Sequence, residues 1–353
     1  MDEQLRRGQV SAMTQTNAPA GSPDAPDGRP ANRLATGLAA LRAMRPTQWT
    51  KNGLVLLAAI FSRTVLDGPT ALRVTIGFAA FCLAASGVYI VNDLADRHRD
   101  RLHPRKRFRP IASGALSPRV ATWLAATLFA GAAALALWLA LGGLYHDLPH
   151  GPDPFGALGG GGWLFVAALV GYVALNLAYS AWLKHLALWD VFAIAAGFVL
   201  RALAGAFAAA VYISPWFYLC AIFLSLFLAL GKRRAELLRI TGAPETSGSR
   251  ETVMLYTTQL LDQLIVLAVT CAVMAYSLYT FQGESSRHAL IVTVPVVVFG
   301  VFRYLYLIYV RREGERPDEL LYRDPQILGA VALWLLIVAL ELYVPALAAL
   351  SVF

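Results

Sequence analysis

The residues of this chain best suited to chemistry lie between Asn92 and Gly114, in a stretch with three carboxylates, two histidines and seven lysines or arginines. It follows about twenty apolar residues, 72–91, which are long enough to cross a bilayer. Neighbouring carboxylates repel one another unless a cation lies between them. Mg²⁺ prefers such oxygen ligands and bridges to substrate phosphates, and the basic residues that follow could donate to further phosphate oxygens. The stretch therefore predicts a site for magnesium and a phosphorylated substrate.

Helical spacing predicts which of these side chains meet. If residues 88–103 continue the apolar helix, the amide, the acids and one histidine fall at i, i+1, i+4, i+8 and i+11 and share a face. The alternative is a solvated amphipathic loop whose acids and bases pair with one another. The side chains on the predicted face are Asn92, Asp93, Asp96, Asp100 and His103.

The composition is that of a polytopic membrane protein. Of 353 residues, 58% are apolar and 15% are charged, with a mean hydropathy of +0.56, whereas soluble domains are about a quarter charged. The sequence therefore predicts an all-α helix bundle. Three cysteines lie in apolar segments without C-x-x-C spacing, which indicates neither a disulfide framework nor a zinc site. We attribute the net charge of +8 to membrane topology rather than to nucleic-acid binding.

The chain divides into two predicted parts. Residues 1–40 lack apolar periodicity and predict a disordered cytoplasmic tail, without a cleavable signal. Residues 41–353 predict a transmembrane catalytic domain of nine helices. Its apolar segments lie at roughly 52–66, 72–91, 119–141, 163–182, 187–211, 215–231, 256–281, 289–310 and 327–350.

Basic residues between these segments predict the orientation. Nearly all lie in the tail and in four loops, whereas residues 142–162 and 212–214 contain none. By the positive-inside rule the charged loops are cytoplasmic and Phe353 lies on the far side. We therefore expect a multi-pass protein of the inner (plasma) membrane of a bacterium, with one site on its cytoplasmic face. The charged loops are those at 92–118, 183–186, 232–255 and 311–326.

Polar residues just before the first apolar segment are further candidates. Between Arg45 and Asn52 the chain reads R-P-T-Q-W-T-K-N. Gln48, Lys51 and Asn52 could bind phosphate oxygens or sugar hydroxyls. Equally, Trp49 could be an interfacial anchor and Lys51 a residue that only sets the topology.

Ionisable residues near or inside the fifth segment need partners, because charge is costly in a membrane. Tyr179 and Lys184 precede this segment near its cytoplasmic end. Asp190 could be functional or could simply cap its helix. Arg201 lies well inside the segment, so we expect an anionic partner for it, either an acid of a neighbouring helix or a substrate phosphate.

The loop after the sixth segment again combines bases with an acid. Lys232 and Arg233 are followed by Glu236, which could complete a metal site or orient one of these bases. Tyr256 opens the seventh segment and could donate to an oxyanion. Asp324, in the last cytoplasmic loop, is expected to be solvated or to pair with bases of the loop at 92–118.

Motifs for other chemistries are missing from the sequence. It contains no Ser-His-Asp order, no P-loop, no G-x-G-x-x-G and no redox-cofactor signature. Acids followed by bases suit the magnesium-assisted departure of diphosphate.

These motifs resemble those of a known family. N-D-x-x-D-x-x-x-D at the end of segment 2 resembles the first aspartate motif of the UbiA-type intramembrane prenyltransferase superfamily, which binds a magnesium diphosphate. The extension D-R-L-H-P-R-K-R-F-R-P-I-A-S-G, with R-P-T-Q-W-T-K-N, Y-S-x-x-L-K-H and G-K-R-x-A-E-L, is similar to its decaprenyl-phosphate phosphoribosyltransferase branch. The likeness covers most of residues 42–345. The second aspartate-rich motif of ordinary members does not occur in the loop that begins K-R-R-A-E-L-L.

The resemblance implies an activity and roles for the site residues. It implies transfer of 5-phosphoribose from phosphoribosyl diphosphate (PRPP) to a polyprenyl (decaprenyl) phosphate, with loss of diphosphate, for a cell-wall arabinan precursor. Asp93, Asp96 and Asp100 would hold Mg²⁺ while Asn92 orients an acid or a ribose hydroxyl. Membrane lipids are expected partners, and a homo-oligomer is left open. The cations expected to hold phosphate oxygens are Lys51, Lys106, Arg107, Arg109 and Lys184.

Two other functions stay open at this point. The first is a UbiA-type prenyltransferase that moves an isoprenyl group to an aromatic acceptor, against which the missing second aspartate motif argues. The second is a transporter or flippase for a phosphorylated lipid. A transport path should place polar residues on both faces of the membrane, whereas the non-cytoplasmic loops are nearly free of charge.

Overall fold

The computed structural model describes residues 33–104, 106–145, 148, 153–212, 214–242, 251–281, 288–313, 320 and 323–344. Over these residues the regular secondary structure is helical, as predicted. Residues 33–40 of the predicted tail belong to a helix, and the rest of that tail lies outside the described residues. The α-helices are α1 (Arg33–Met44), α2 (Leu54–Phe61), α3 (Gly68–Ala95), α4 (Arg97–Leu102), α5 (Pro118–Leu141), α6 (Gly161–Ala181), α7 (Trp189–Ala209), α8 (Pro215–Gly242), α9 (Thr258–Phe281), α10 (Val294–Tyr309) and α11 (Pro325–Tyr343).

Eight helical segments of the described chain are long and apolar enough to cross a membrane. They are α3, α5, α6, α7, α8, α9, α11 and the segment that joins residues 290–293 to α10. These eight correspond to the second to ninth predicted segments, so the prediction of a polytopic all-α membrane protein is confirmed.

The first predicted segment is a composite rather than one helix. Residues Pro46–Gly53 form a 3₁₀-helix that continues into the short helix α2. Arg45, which precedes it, has a left-handed backbone with φ 54°, so the chain turns sharply after α1. Pro46 then supplies a fixed φ suited to a first helical turn. We call residues 46–61 the first crossing segment.

The contacts of the first crossing segment show that it passes through the bundle. Its start lies beside the end of α3, where Arg45 reaches Asp93. Its end lies beside the end of α11, where the Tyr343 hydroxyl donates to the Ile60 carbonyl over 2.8 Å. With the eight long helices it accounts for the nine predicted crossings.

One end of the bundle gathers the charged connections. There α3, α6, α8 and α10 end, and α5, α7, α9 and α11 begin. We call it the basic end, because the described lysines and arginines that follow α3, α6 and α10 lie in its connections.

Helix α7 contributes to two of the apolar clusters of the bundle. Val191 and Ala195, near its start, pack in a cluster with α8, α9 and α10. Ala204 and Ala208, near its end, pack in a cluster with α2, α3, α5 and α6. Small residues allow this close packing, and a Cβ added at Gly205 would lie only 2.2 Å from the Val55 carbonyl oxygen of α2.

The close approach of α2 and α7 predicts the effect of a single methyl group. Gly205→Ala should lower the melting temperature in detergent micelles, because the helices must separate and such overpacking costs about 1–3 kcal/mol. Gly171→Ala is the matched control, since a Cβ added there would meet nothing nearer than Leu200 Cδ2 at 3.9 Å. Equal melting temperatures for the two variants would contradict this account.

Candidate active site

Two buried carboxylates share one guanidinium at the basic end. Asp93 and Asp100 are 3% and 2% exposed. Arg109 Nη1 lies 3.1 Å from Asp93 Oδ1 and 2.7 Å from Asp100 Oδ2. Arg45 Nη2 lies 2.6 Å from the same oxygen of Asp93. We call Asp93 and Asp100 the carboxylate pair, and each member of it is neutralised by arginine.

The helix that carries these acids is interrupted, which corrects the prediction of one helix over residues 88–103. Helix α3 ends at Ala95, and α4 begins at Arg97. Asp96 lies between them with φ −87° and ψ 2°. Its N–H still donates to the Asn92 carbonyl and its carbonyl accepts from the Asp100 N–H, both over 2.9 Å. The helical spacing therefore survives the break, and the pair, seven residues apart, lies on one side of the chain.

Asp96 and His103 do not join the carboxylate pair. Asp96 is half-buried, and within the described chain no ion pair links its carboxylate to the arginines that hold the pair. His103 Nδ1 accepts from the Lys106 N–H over 3.3 Å. Burial, and then the charge of Lys106, lower the pKa of His103. The imidazole that accepts this hydrogen bond is therefore neutral at pH 7.

The donor set fits a magnesium ion held jointly with a substrate. Among the described residues, no group of three or more His, Cys, Asp or Glu side chains is placed to hold a metal by itself, so the predicted three-acid cluster is not formed. Mg²⁺ is usually bound by one or two carboxylates together with substrate phosphates and water. The shared Arg109 nitrogen marks a position at which one cation touches both acids.

The end of α6 joins this region to a second polar network. Ser180 Oγ donates to Asn92 Oδ1 of α3 over 2.6 Å. The neighbouring residue, Tyr179, accepts from Arg233 Nη2 of α8 over 3.2 Å. Two consecutive residues therefore fix the separation between α3 and α8.

The second network centres on Asp190, which is 1% exposed. Arg233 Nε donates to Asp190 Oδ2 and the Tyr256 hydroxyl donates to Asp190 Oδ1, each over 2.6 Å. Arg233 also pairs with Glu236. The Tyr256 oxygen accepts from the Leu188 N–H over 2.6 Å. Burial and the bond to the Asp190 carboxylate raise the pKa of Tyr256, which keeps the hydroxyl protonated. Asp190 is thus an ion-pair partner, and Leu188 occupies the cap position.

The remaining predicted residues lie around these two networks. Lys184 is half-buried, and its carbonyl accepts from Thr252 Oγ1 over 2.7 Å. Arg107 is exposed, and its guanidinium lies 4.8 Å from the Phe108 ring centre. The half-buried members of the predicted set are Gln48 and Lys51 on the first crossing segment, Lys106 before Arg109, and Lys232 on α8.

Arg201 has neutral partners, which corrects the expectation of an anionic one within the protein. It is 7% exposed. Its Nε donates to Asn52 Oδ1 and its Nη2 to the Tyr172 hydroxyl, each over 2.8 Å, and its Nη1 donates to the Gly197 carbonyl over 2.9 Å. The guanidinium also lies 4.6 Å from the Tyr172 ring centre, a cation–π distance. Five N–H donors allow several neutral acceptors to replace one carboxylate.

Asp324 is held by its own helix pair rather than by the loop at 92–118. Arg303 Nη2 lies 2.7 Å from Asp324 Oδ2, and this bond is the main cause that lowers the pKa of Asp324. The other oxygen accepts from the Gln326 and Ile327 N–H groups, so Asp324 caps α11.

Sequence reasoning missed Arg45 and Ser180, which contact Asp93 and Asn92. Arg45 was overlooked although it is the first residue of the motif that contains Gln48. Ser180 follows Tyr179 and gave no signal, because a serine near a helix end is common. Trp49 was weighed as an interfacial anchor, but its Nε1 donates to the buried Ser86 over 3.0 Å.

The fold and the site define a polytopic membrane protein that gathers acids and cations at one end of a helix bundle. Residues 53–323 match the UbiA prenyltransferase family, and the chain belongs to this family of transferases.

Named relatives resemble the chain over most of its length. Decaprenyl-phosphate phosphoribosyltransferase of Corynebacterium glutamicum is 36% identical over 335 residues, 90% of either chain. The enzyme of the same name from Mycolicibacterium smegmatis is 34% identical over 315 residues, 85% of this chain and 90% of the relative. The structure of a UbiA homolog from Archaeoglobus fulgidus bound to DMAPP and Mg²⁺ has a TM-score of 0.61 and 19% identity, and covers 89% of this chain and 99% of that one. That structure supports the fold.

The second network predicts a loss of stability when one hydroxyl is removed. Tyr256→Phe should lower the melting temperature, because a buried carboxylate oxygen and the Leu188 N–H each lose a partner, at about 1–3 kcal/mol. Tyr212→Phe is the control, since its hydroxyl donates to the Pro154 carbonyl from a side chain that is 75% exposed. A melting temperature for Tyr256→Phe no lower than that of the control would show that the network is not needed for folding.

Proposed function

We propose that this protein transfers 5-phosphoribose from PRPP to a polyprenyl phosphate of the decaprenyl type, with release of diphosphate. The reaction would take place at the cytoplasmic face of the inner (plasma) membrane of a bacterium. The main observation in support is that relatives named decaprenyl-phosphate phosphoribosyltransferase align with this chain over nine-tenths of their length at about 35% identity. The charge of the site supports it, because two arginines, Arg45 and Arg109, contact the carboxylate pair.

The proposed transfer needs no general base. The bond between ribose C1 and the diphosphate oxygen breaks, and its electron pair leaves with diphosphate. An anionic oxygen of the polyprenyl phosphate forms the new bond to C1 from the opposite face, so no proton has to be removed. Mg²⁺, when bound, would neutralise charge on the departing diphosphate. This agrees with a site whose described centre is a carboxylate pair held by arginines.

The residues of this chain would divide the work by charge. Asp93 and Asp100 would hold the metal, and Asn92, fixed by Ser180, would orient an acid or a ribose hydroxyl. We assign the phosphate oxygens to the two arginines on the pair and to further cations of the chain. These are Arg45, Lys51, Lys106, Arg107, Arg109, Lys184 and, on α7, Arg201, which contacts Asn52 of the first crossing segment.

The proposed function predicts which diphosphate the protein uses as donor. Purified protein with decaprenyl phosphate and Mg²⁺ should move label from ribose-labelled PRPP into lipid and should not move label from a prenyl diphosphate. The measurement is extraction of labelled lipid and thin-layer chromatography. Label transferred from the prenyl diphosphate to an aromatic acceptor, with none from PRPP, would favour the other UbiA-type reaction instead.

The proposed function also predicts the effect of neutralising Asp93 on the rate of transfer. Asp93→Asn should lower the rate of phosphoribose transfer about a hundredfold or more, since losing a ligand that stabilises the transition state costs about 3 kcal/mol. Asp262→Asn is the control, because Asp262 is 36% exposed and pairs with Arg234 of α8 rather than with either arginine of the carboxylate pair, so a folded variant should keep a near-normal rate. A near-normal rate in a folded Asp93→Asn protein would remove Asp93 from the metal site.

A further inference from the structure

The two arginines on the carboxylate pair are held in different ways. Arg45 starts the first crossing segment with a left-handed backbone, and its guanidinium lies 4.9 Å from the Tyr89 ring centre. Arg109 is 28% exposed. Within the described chain, its side-chain hydrogen bonds go to Asp93 and Asp100. Arg45 is therefore held by stacking on Tyr89 as well as by Asp93, whereas the described side-chain hydrogen bonds of Arg109 go to the two acids alone.

A metal ion shared by the pair would compete with Arg109. Arg109 Nη1 lies within 3.1 Å of one oxygen of each acid, between the two carboxylates that would share a divalent ion. Two cations at such a separation in a partly buried site repel strongly. The guanidinium must therefore leave before a metal can contact both carboxylates, and it must find other acceptors when it does.

A diphosphate supplies those acceptors. Its oxygens match the forked N–H groups of a guanidinium better than they match a single ammonium. When a metal ion binds with a diphosphate, the metal replaces Arg109 on the two acids and the diphosphate accepts hydrogen bonds from the Arg109 guanidinium. A metal ion that binds alone competes with Arg109 for the acids but provides no new acceptor for it.

We propose that Arg109 is an exchangeable counter-ion, which pairs with the two carboxylates before ligands bind and moves to the donor diphosphate when a metal and that diphosphate bind together. Arg109 is thereby a positioning residue that couples the two ligands. The assignment of PRPP as the donor rests on the proposed function, whereas the exchange itself requires only a diphosphate. Its consequence is reciprocal: each ligand raises the affinity for the other.

The test measures metal binding without turnover. Full-length protein in nanodiscs is titrated with Mn²⁺, read by electron paramagnetic resonance, with and without PRPP and in the absence of acceptor lipid. In the wild type, PRPP should tighten Mn²⁺ binding about tenfold, a usual size for coupling between two ligands. In Arg109→Gln, Mn²⁺ should already bind about tenfold tighter without PRPP, and the further effect of PRPP should shrink by a similar factor.

The control removes the same charge from the same loop. Arg99 is exposed on α4, and no ion pair of the described chain joins it to the carboxylate pair, so Arg99→Gln should bind Mn²⁺ as the wild type does. Mn²⁺ affinity in Arg109→Gln that is equal to or weaker than in this control would overturn the proposal. If Arg109→Gln is not monodisperse, Arg109→Lys decides, since a less well-fitting cation should give a smaller tightening in the same direction and no tightening would refute the exchange.

A second diphosphate separates this proposal from the proposed function. Repeating the titration with dimethylallyl diphosphate tests whether the coupling follows PRPP or a prenyl donor. Coupling with dimethylallyl diphosphate alone would refute PRPP as the donor and leave the exchange intact. Coupling with neither compound in a folded wild-type protein would overturn the exchange.

Discussion

Every charge buried in this bundle needs a partner, because the apolar interior holds no water to solvate it. The structure meets this requirement in two ways. Asp93 and Asp190 are paired with arginines. Arg73 and Arg201 instead donate to carbonyls, hydroxyls and an amide. The first arrangement cancels charge, whereas the second leaves it in place. Arg73 and Arg201 therefore keep their positive charge inside the bundle, and each guanidinium is held by three side-chain hydrogen bonds.

The requirement also explains how distant parts of the chain are held together. The first crossing segment is held against α3 by two hydrogen bonds, from Trp49 Nε1 to Ser86 Oγ and from Asn52 Nδ2 to Cys82 Sγ. Asn52 Oδ1 also accepts from Arg201 of α7. An apolar helix at this place would pack equally well against α3 but would leave those partners without hydrogen bonds. A 3₁₀-helix places residues i and i+3 on the same face, and Trp49 and Asn52, which both contact α3, have this spacing.

The sequence predicted the helices much better than it predicted their partners. Apolar length is a local property, so eight crossings could be read directly from residues 72 onward. The break at Asp96 could not, because the carboxylates on either side give the same pattern in one helix or two. Asp190 illustrates the general difficulty: its position suggests a cap, and only the packing of α7 against α8 brings Arg233 within 2.6 Å. Arg201 was expected to need an anionic partner, either an acid or a substrate phosphate, and within the protein it donates to neutral acceptors from three elements instead.

Helix α7 carries both Asp190, which is paired with an arginine, and Arg201, which donates to neutral acceptors. The two kinds of buried polar contact are therefore connected through one helix. Asp190 and Arg201 are eleven residues apart, which is about three helical turns or 16 Å. Asp190 fixes the start of α7 to α8 and, through Tyr256, to the chain before α9. Arg201 fixes the middle of α7 to the first crossing segment and to α6. Because α6 also joins α3 to α8 through Ser180 and Tyr179, the helices around the carboxylate pair form a closed ring of polar contacts. A shift of any one helix would have to break a buried charged hydrogen bond, worth about 1.5–3 kcal/mol, so the ring keeps the acids and cations of the basic end at fixed separations.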